Sequence, residues 1–219
     1  MNDTTSTYQL ILASASPRRQ QFMRDLGLPF TIQVADIDET PYPAEAPLAL
    51  ARRLAETKAR TVAQRLPQDG VARLVIAADT VVALGFTLLG KPQDAQEATA
   101  MLILLRDKIH EVHSGISVLD TTNGQQRTQV NTTQVRMRNY SDAEIAAYVA
   151  TGDPLDKAGG YAIQHREFDP ATSINGCLSG VMGLPLGDLR DLLASFGVKL
   201  AQPVAPACTR HNDFPCCQG

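Results

Sequence analysis

Residues 10–19, Leu10-Ile11-Leu12-Ala13-Ser14-Ala15-Ser16-Pro17-Arg18-Arg19, decide the class of fold. A short apolar run suited to a buried strand passes through small residues into Ser16-Pro17, which reads as an N-cap serine followed by proline at the first helical position. A helix is expected from Pro17, with Phe22, Met23 and Leu26 at helical spacing and Gly27 placed to end it. A helix start carries unpaired N–H groups and positive dipole, so Arg18 and Arg19 in its first turn are unfavourable unless an anion sits there. A phosphate site accounts for them; two solvated arginines on an exposed turn is the other reading.

Working outward, residues 28–34 alternate as a strand and run into Asp36-Ile37-Asp38-Glu39-Thr40, a divalent-cation site or a solvated acidic loop. Residues 46–66 read as one long helix with Ala51, Leu54, Ala55 and Val62 on a stripe. Lys58 falls on that stripe, so it either snorkels outward or meets a counter-charge inside. Residues 74–84, Leu74-Val75-Ile76-Ala77-Ala78-Asp79-Thr80-Val81-Val82-Ala83-Leu84, are the most strand-like run and are expected at the centre of the sheet. Asp79 interrupts it. A carboxylate there needs a cation partner, a metal or a raised pKa.

Gly85 to Lys91 satisfies G-x-x-x-x-G-K, but Pro92 stands where a P-loop needs Ser or Thr, and bulky residues fill the loop. What survives is a β-turn carrying Lys91. A helix over 94–105, a strand over 111–119, a turn at Asn123-Gly124 and a strand over 129–138 follow. Ser141-Asp142-Ala143-Glu144 is a capping box, opening a helix that Gly152 closes. Residues 154–164 read as a glycine-bearing loop entering a strand, and Gly183-Leu184-Pro185-Leu186 leads into a last helix stopped by Gly197. Together these elements make one α/β domain with a mixed sheet over residues 1–202, open to a division into two lobes around a cleft.

The 219 residues carry a net charge of -3, which argues against a general nucleic-acid-binding surface and for a small anion bound locally. No run approaches the roughly 18 apolar residues of a membrane span, and MNDTTSTYQ lacks a basic signal-peptide region, so a cytoplasmic protein without membrane partners is expected. Cys208, Cys216 and Cys217 crowd near His211, but the spacing fits no zinc pattern, and the Pro-rich residues 203–219 are expected to form a disordered tail.

The motifs Ser14-Ala15-Ser16-Pro17-Arg18-Arg19, Asp38-Glu39, Glu56-Thr57-Lys58-Ala59, Ala78-Asp79-Thr80, Gly90-Lys91-Pro92, Asp156-Lys157-Ala158-Gly159-Gly160-Tyr161 with Ile163-Gln164, and Gly183-Leu184-Pro185-Leu186, in this order, resemble the Maf family of nucleoside triphosphate pyrophosphatases. The resemblance extends over about residues 8 to 197. It implies an elongated, two-lobed α/β fold like that of the inosine triphosphatases, with the active site in the cleft. It also implies cleavage of nucleoside triphosphates between the α and β phosphates with a divalent cation, Mg or Mn, and allows a homodimer. Position by position, it makes Asp79 the catalytic residue and Arg18, Arg19, Glu39, Lys58 and Lys91 the charged substrate contacts, with Glu39 and Asp79 available to the metal. Whether Asp79 acts as base or metal ligand stays open. Arg18, Thr80 and Gln164 are similar to the set of the dTTP/UTP branch; methylated or inosine-type nucleotides, or a binding role in regulating cell division, are the alternatives.

Overall fold

The computed structural model describes residues 8–210 and residue 214. Its frame is a seven-stranded mixed sheet in the order β2-β1-β3-β5-β6-β7, with β4 paired to β3 off that path. The strands are β1 (Gln9–Leu12), β2 (Phe30–Ile32), β3 (Arg73–Leu84), β4 (Thr87–Leu89), β5 (Ile109–Asp120), β6 (Gln126–Met137) and β7 (Ala171–Asn175). β1 runs parallel to β2 and β3, and the remaining pairings are antiparallel. The helices are α1 (Pro17–Asp25), α2 (Pro47–Arg65), α3 (Ala95–Leu105), α4 (Asp142–Ala150), α5 (Leu178–Val181), α6 (Leu186–Ser195) and α7 (Val204–Thr209). The expected α/β class, a mixed sheet flanked by helices, is what the chain forms.

Strand alternation sorts the core into two faces. Leu10, Leu12, Leu74, Ile76, Ala78 and Val82 pack with Phe22, Met23 and Leu26 of the α1 segment, whereas Ile11, Val75 and Ala77 pack with Ala59 and Val62 of α2. Asp79 continues the second set and faces α2; Thr80 continues the first. α2 can lie against the sheet because Gly115, the β5 partner of Asp79, has no side chain. A Cβ at that position would stand 2.3 Å from the Ala51 carbonyl oxygen.

The edge of β3 facing β1 is open in its middle. β1 pairs as far as Leu12 opposite Ile76, and β4 begins opposite Val82. Between those points the two faces of β3 meet at one gap, beside the turn that carries residues 13–16 from β1 to α1.

Local signals account for most boundaries. α4 opens with the expected box, the Ser141 hydroxyl and the Glu144 side chain each bonding the other's backbone N–H. Gly27 lies at φ 68°, the left-handed region that ends the α1 turn. Ser16 does occupy the N-cap of α1, yet its side chain makes no capping bond; the Ser14 hydroxyl accepts from the Ser16 amide at 3.1 Å instead.

Three expectations are corrected. The turn before Lys91 contains a strand, β4, because Gly85 at φ 60° lets the chain double back on β3. The loop over 154–164 does not enter a strand. The chain coils through two short 3-10 turns, Asp153–Asp156 and Ala158–Gly160, and the next strand, β7, begins only at Ala171. Residues 204–209, expected to be disordered, form α7, since Val204, Ala207 and Cys208 find apolar partners in the main core. His211, Cys216 and Cys217 lie outside the described residues.

His110 of β5 is 1% exposed, with Nε2 2.7 Å from the Tyr161 hydroxyl and Nδ1 without a hydrogen-bond partner. Burial pulls it down from 6.5 to about 4. A histidine depressed in the folded state contributes stability that is present above its unfolded pKa and lost as pH falls toward the folded one. Urea unfolding at pH 7 and pH 4.5 is expected to show an acid loss greater by roughly 2.5 kcal/mol than in His110→Gln. Equal losses in the two chains would exclude His110 as the cause.

Candidate active site

A cleft of about 990 Å3 opens at the gap in β3. One side is built by residues 13–19 and the other by Gly90-Lys91 and the coil 153–164, with Asp79 and Thr80 between them. Arg18, Arg19, Glu39, Lys58, Asp79, Thr80, Lys91 and Gln164 all line it.

The floor on the α2 face is a three-membered ion cluster. Lys58 Nζ lies 2.6 Å from Asp79 Oδ1 and 2.6 Å from Glu39 Oε1. The Lys58 and Asp79 side chains are almost wholly buried, whereas Glu39 is 58% exposed. Of the two outcomes open for Lys58, the structure realises the counter-charge. The acidic stretch before α2 contributes one member to the cluster, Glu39; Asp38 turns back to accept from the Thr40 amide at 2.9 Å.

On the opposite face Arg19 donates to the Gly183 carbonyl at 2.8 Å, to the Ser14 hydroxyl at 3.3 Å and to the Thr80 hydroxyl at 3.4 Å. Ser114 donates to the Gly180 carbonyl at 2.6 Å and lies 3.2 Å from Thr80 Oγ1. Its single proton being committed to Gly180, Ser114 accepts from Thr80, and Thr80 accepts from Arg19. The row of hydroxyls therefore has one polarity, running from Arg19 through Thr80 and Ser114 to the Gly180 carbonyl. Burial lowers the Arg19 guanidinium from its ordinary value, Asp79 pulls it back up, Arg18 adds to the lowering and Glu39 opposes it. The side chain stays cationic all the same.

Arg18, half-buried, and Lys91, exposed, make no hydrogen bond or ion pair among the described residues. Lys91 is placed by the bond from the Gly159 amide to the Gly90 carbonyl, 3.0 Å, which ties the turn after β4 to the coil. Gly159 sits at φ 74°. A Cβ there would press on Val82 at 3.0 Å, so the close approach needs glycine. Gln164 is half-buried, and its Oε1 is closed off from solvent with no hydrogen-bond partner among the described residues. An amide oxygen left so is costly, and a donor brought by a ligand would relieve it once the side chain turned to meet it.

Lys157, inside a motif read from the sequence, is not a free cation. It is 8% exposed, bonded to the Asp153 carbonyl at 2.6 Å, to Asp153 Oδ1 at 2.8 Å and to Asp156 Oδ1 at 2.5 Å. Asp153, which lines the cleft, and Ser114, which bonds Thr80, were not singled out as site residues by sequence reasoning. The Asp153–Lys157 spacing of four was the signal available for Asp153.

Two cations without a partner among the described residues, Arg18 and Lys91, share one cleft with a buried carboxylate that has a cationic partner, an arrangement suited to an anionic ligand. The match to the Maf-like protein family model spans residues 9–196, and the chain belongs to that family. The dTTP/UTP pyrophosphatase of Desulforamulus reducens is 44% identical over 87% of this chain and 98% of that protein. The dTTP/UTP pyrophosphatase of Myxococcus xanthus is 46% identical over 87% and 94%. Among solved structures, a HAM1 protein from Coxiella burnetii aligns with a TM-score of 0.47 at 18% identity over 86% of this chain and 99% of that one, too loosely to bear on the site.

Removing one partner of a buried ion pair leaves the other charge uncompensated. Lys58→Met is expected to lower unfolding stability by roughly 3 kcal/mol, and Lys58→Met with Asp79→Asn to cost less than Lys58→Met alone. Urea unfolding of these two variants and of Asp79→Asn alone tests this; strictly additive losses would mean that the two side chains do not stabilise each other.

Proposed function

We propose that the chain is a nucleoside triphosphate pyrophosphatase that hydrolyses dTTP and UTP to the monophosphate and pyrophosphate. The observation that carries the reading is the sharing of one cleft by Asp79 and the unengaged cations Arg18 and Lys91. The names of the relatives support the same activity and the same pair of substrates.

In the proposed reaction a water oxygen attacks the α-phosphorus and the bond from that phosphorus to the bridging oxygen breaks. The electron pair leaves with pyrophosphate, and the water proton passes to Asp79. With Oδ1 held by Lys58, Asp79 is oriented and its second oxygen is the one to meet the water. Arg18 and Lys91 neutralise charge building on the leaving pyrophosphate, while Arg19, already braced against Gly183, fixes the geometry of the turn that grips the phosphates.

A divalent cation, Mg or Mn, belongs to the proposal. Glu39 and Asp79 each give one oxygen to Lys58, and the second oxygen of each would be a hard donor suited to such an ion. Among the described residues no group of three or more His, Cys, Asp or Glu is positioned to hold a metal, so phosphate oxygens and water would complete the coordination. Such an ion would supply charge neutralisation at the phosphates. Among the described residues no helix is long and apolar enough to cross a membrane, and the cytoplasmic setting expected from the sequence accompanies the proposal.

Asp79→Asn is expected to cut pyrophosphate release from dTTP and UTP by roughly 10²–10⁴-fold while leaving a cooperatively folded chain, judged by thermal unfolding. Turnover retained in that variant would remove Asp79 from the mechanism. For the base, Gln164 offers both a donor and an acceptor to a pyrimidine imide edge, whereas an ionised Glu offers acceptors alone. Gln164→Glu should therefore reduce dTTP and UTP turnover more than 7-methyl-GTP turnover in a side-by-side assay; equal reductions would show that residue 164 does not read the base.

A further inference from the structure

The wall that carries Gln164 is held by a phenol from outside the cleft. Tyr148 of α4 is 3% exposed; its hydroxyl donates to Asp153 Oδ2 at 2.7 Å and accepts from the Ala162 amide at 2.9 Å. Asp153 is anchored in turn by Lys157. The Tyr148 ring stacks on Phe168, with centroids 4.2 Å apart and planes at 11°, and meets His165 edge-on at 4.7 Å. One oxygen therefore joins the turn before Lys157 to an amide two residues ahead of Gln164. Rings on that wall leave the phenol little freedom to move.

We infer that Tyr148 is a positioning residue for Gln164, holding the 161–165 segment so that the Gln164 side chain lines the cleft before any nucleotide arrives. The inference rests on the reading of Gln164 as the base-facing residue. Without the Tyr148 hydroxyl, the Ala162 N–H is a buried donor with nothing to bond, and the segment finds a new partner only by shifting. Such a shift carries Gln164 with it and leaves in place Arg18 on the opposite wall and Asp79 on β3 between the walls. Burial first, and then Asp153, push the Tyr148 phenol up from its ordinary value, so it remains a donor at any working pH. Pre-organising this segment of the wall lowers the ordering cost of binding, and the effect belongs in KM more than in the chemical step.

The test uses the full chain and its Tyr148→Phe, Gln164→Ala and combined variants, with dTTP, UTP and dGTP as substrates. Tyr148→Phe is expected to raise KM for dTTP and UTP by about three- to tenfold, with kcat within about twofold and dGTP little changed. It should add nothing to Gln164→Ala. Amide hydrogen exchange, without nucleotide, should quicken in 161–165 and stay constant in α4. A fall in kcat shared by all three nucleotides would assign Tyr148 a merely structural role, and unchanged KM with unchanged exchange would remove it from the site; either result overturns the inference. Should Tyr148→Phe fail to fold, Asp153→Asn weakens the same link and must show the same split between KM and kcat, its absence again overturning the inference. If the unmodified chain releases pyrophosphate from none of the three nucleotides, the functional reading falls and this inference with it; if it does so and the variants show no split, the inference falls alone.

Discussion

The Lys58 ammonium, seated between Asp79 and Glu39, is the interaction on which the rest of this structure depends. A carboxylate on the central strand of a sheet is costly to desolvate, and it is tolerated where a cation of the same chain reaches it with good geometry. That reach sets the position of α2, which must lie close enough to the sheet for a lysine to meet β3. The absence of a side chain at Gly115 allows it. Sheet register, helix approach and ion pair are thus one constraint, because Gly115 is the β5 neighbour of Asp79 itself.

The second organising feature is the open stretch of β3 edge. Successive strand residues face opposite sides of a sheet, so Asp79 and Thr80 would normally serve separate surfaces. Here β1 ends and β4 has not begun, and both faces are reached from one gap. The α2 face supplies the carboxylate with its lysine; the α1 face supplies the guanidinium and the row of hydroxyls. A phosphate chain in the gap would be within reach of both kinds of chemistry.

The two walls are built differently. The turn from β1 to α1 is braced by Arg19 against backbone and hydroxyl acceptors, which leaves Arg18 unengaged beside it. The far wall is coil, and its order comes from the Tyr148 hydroxyl, the Asp153–Lys157 pair and the bond between Gly159 and Gly90. Arg18 and Lys91 thus stand on opposite walls of the cleft, Gln164 beside the second, and each wall has its own internal supports.

Local patterns alone determined the alternation that buries β3, the helical stripe of α2 with Lys58 on it, the proline start of α1 and the capping box of α4, because each depends on neighbours within a turn or two. They also marked Arg18, Arg19, Lys58 and Asp79 as side chains in need of partners. Which partner each found was beyond them: Lys58 meets a carboxylate 21 positions away, Arg19 a carbonyl 164 positions away. The coil after Gly160 and the helix at 204–209 were misread for the same reason, since their order comes from Tyr148 and from an apolar surface assembled by distant segments. Tertiary structure decided those matters, because burial and long-range hydrogen bonds set the free energy of groups whose own sequence neighbours leave them unsatisfied.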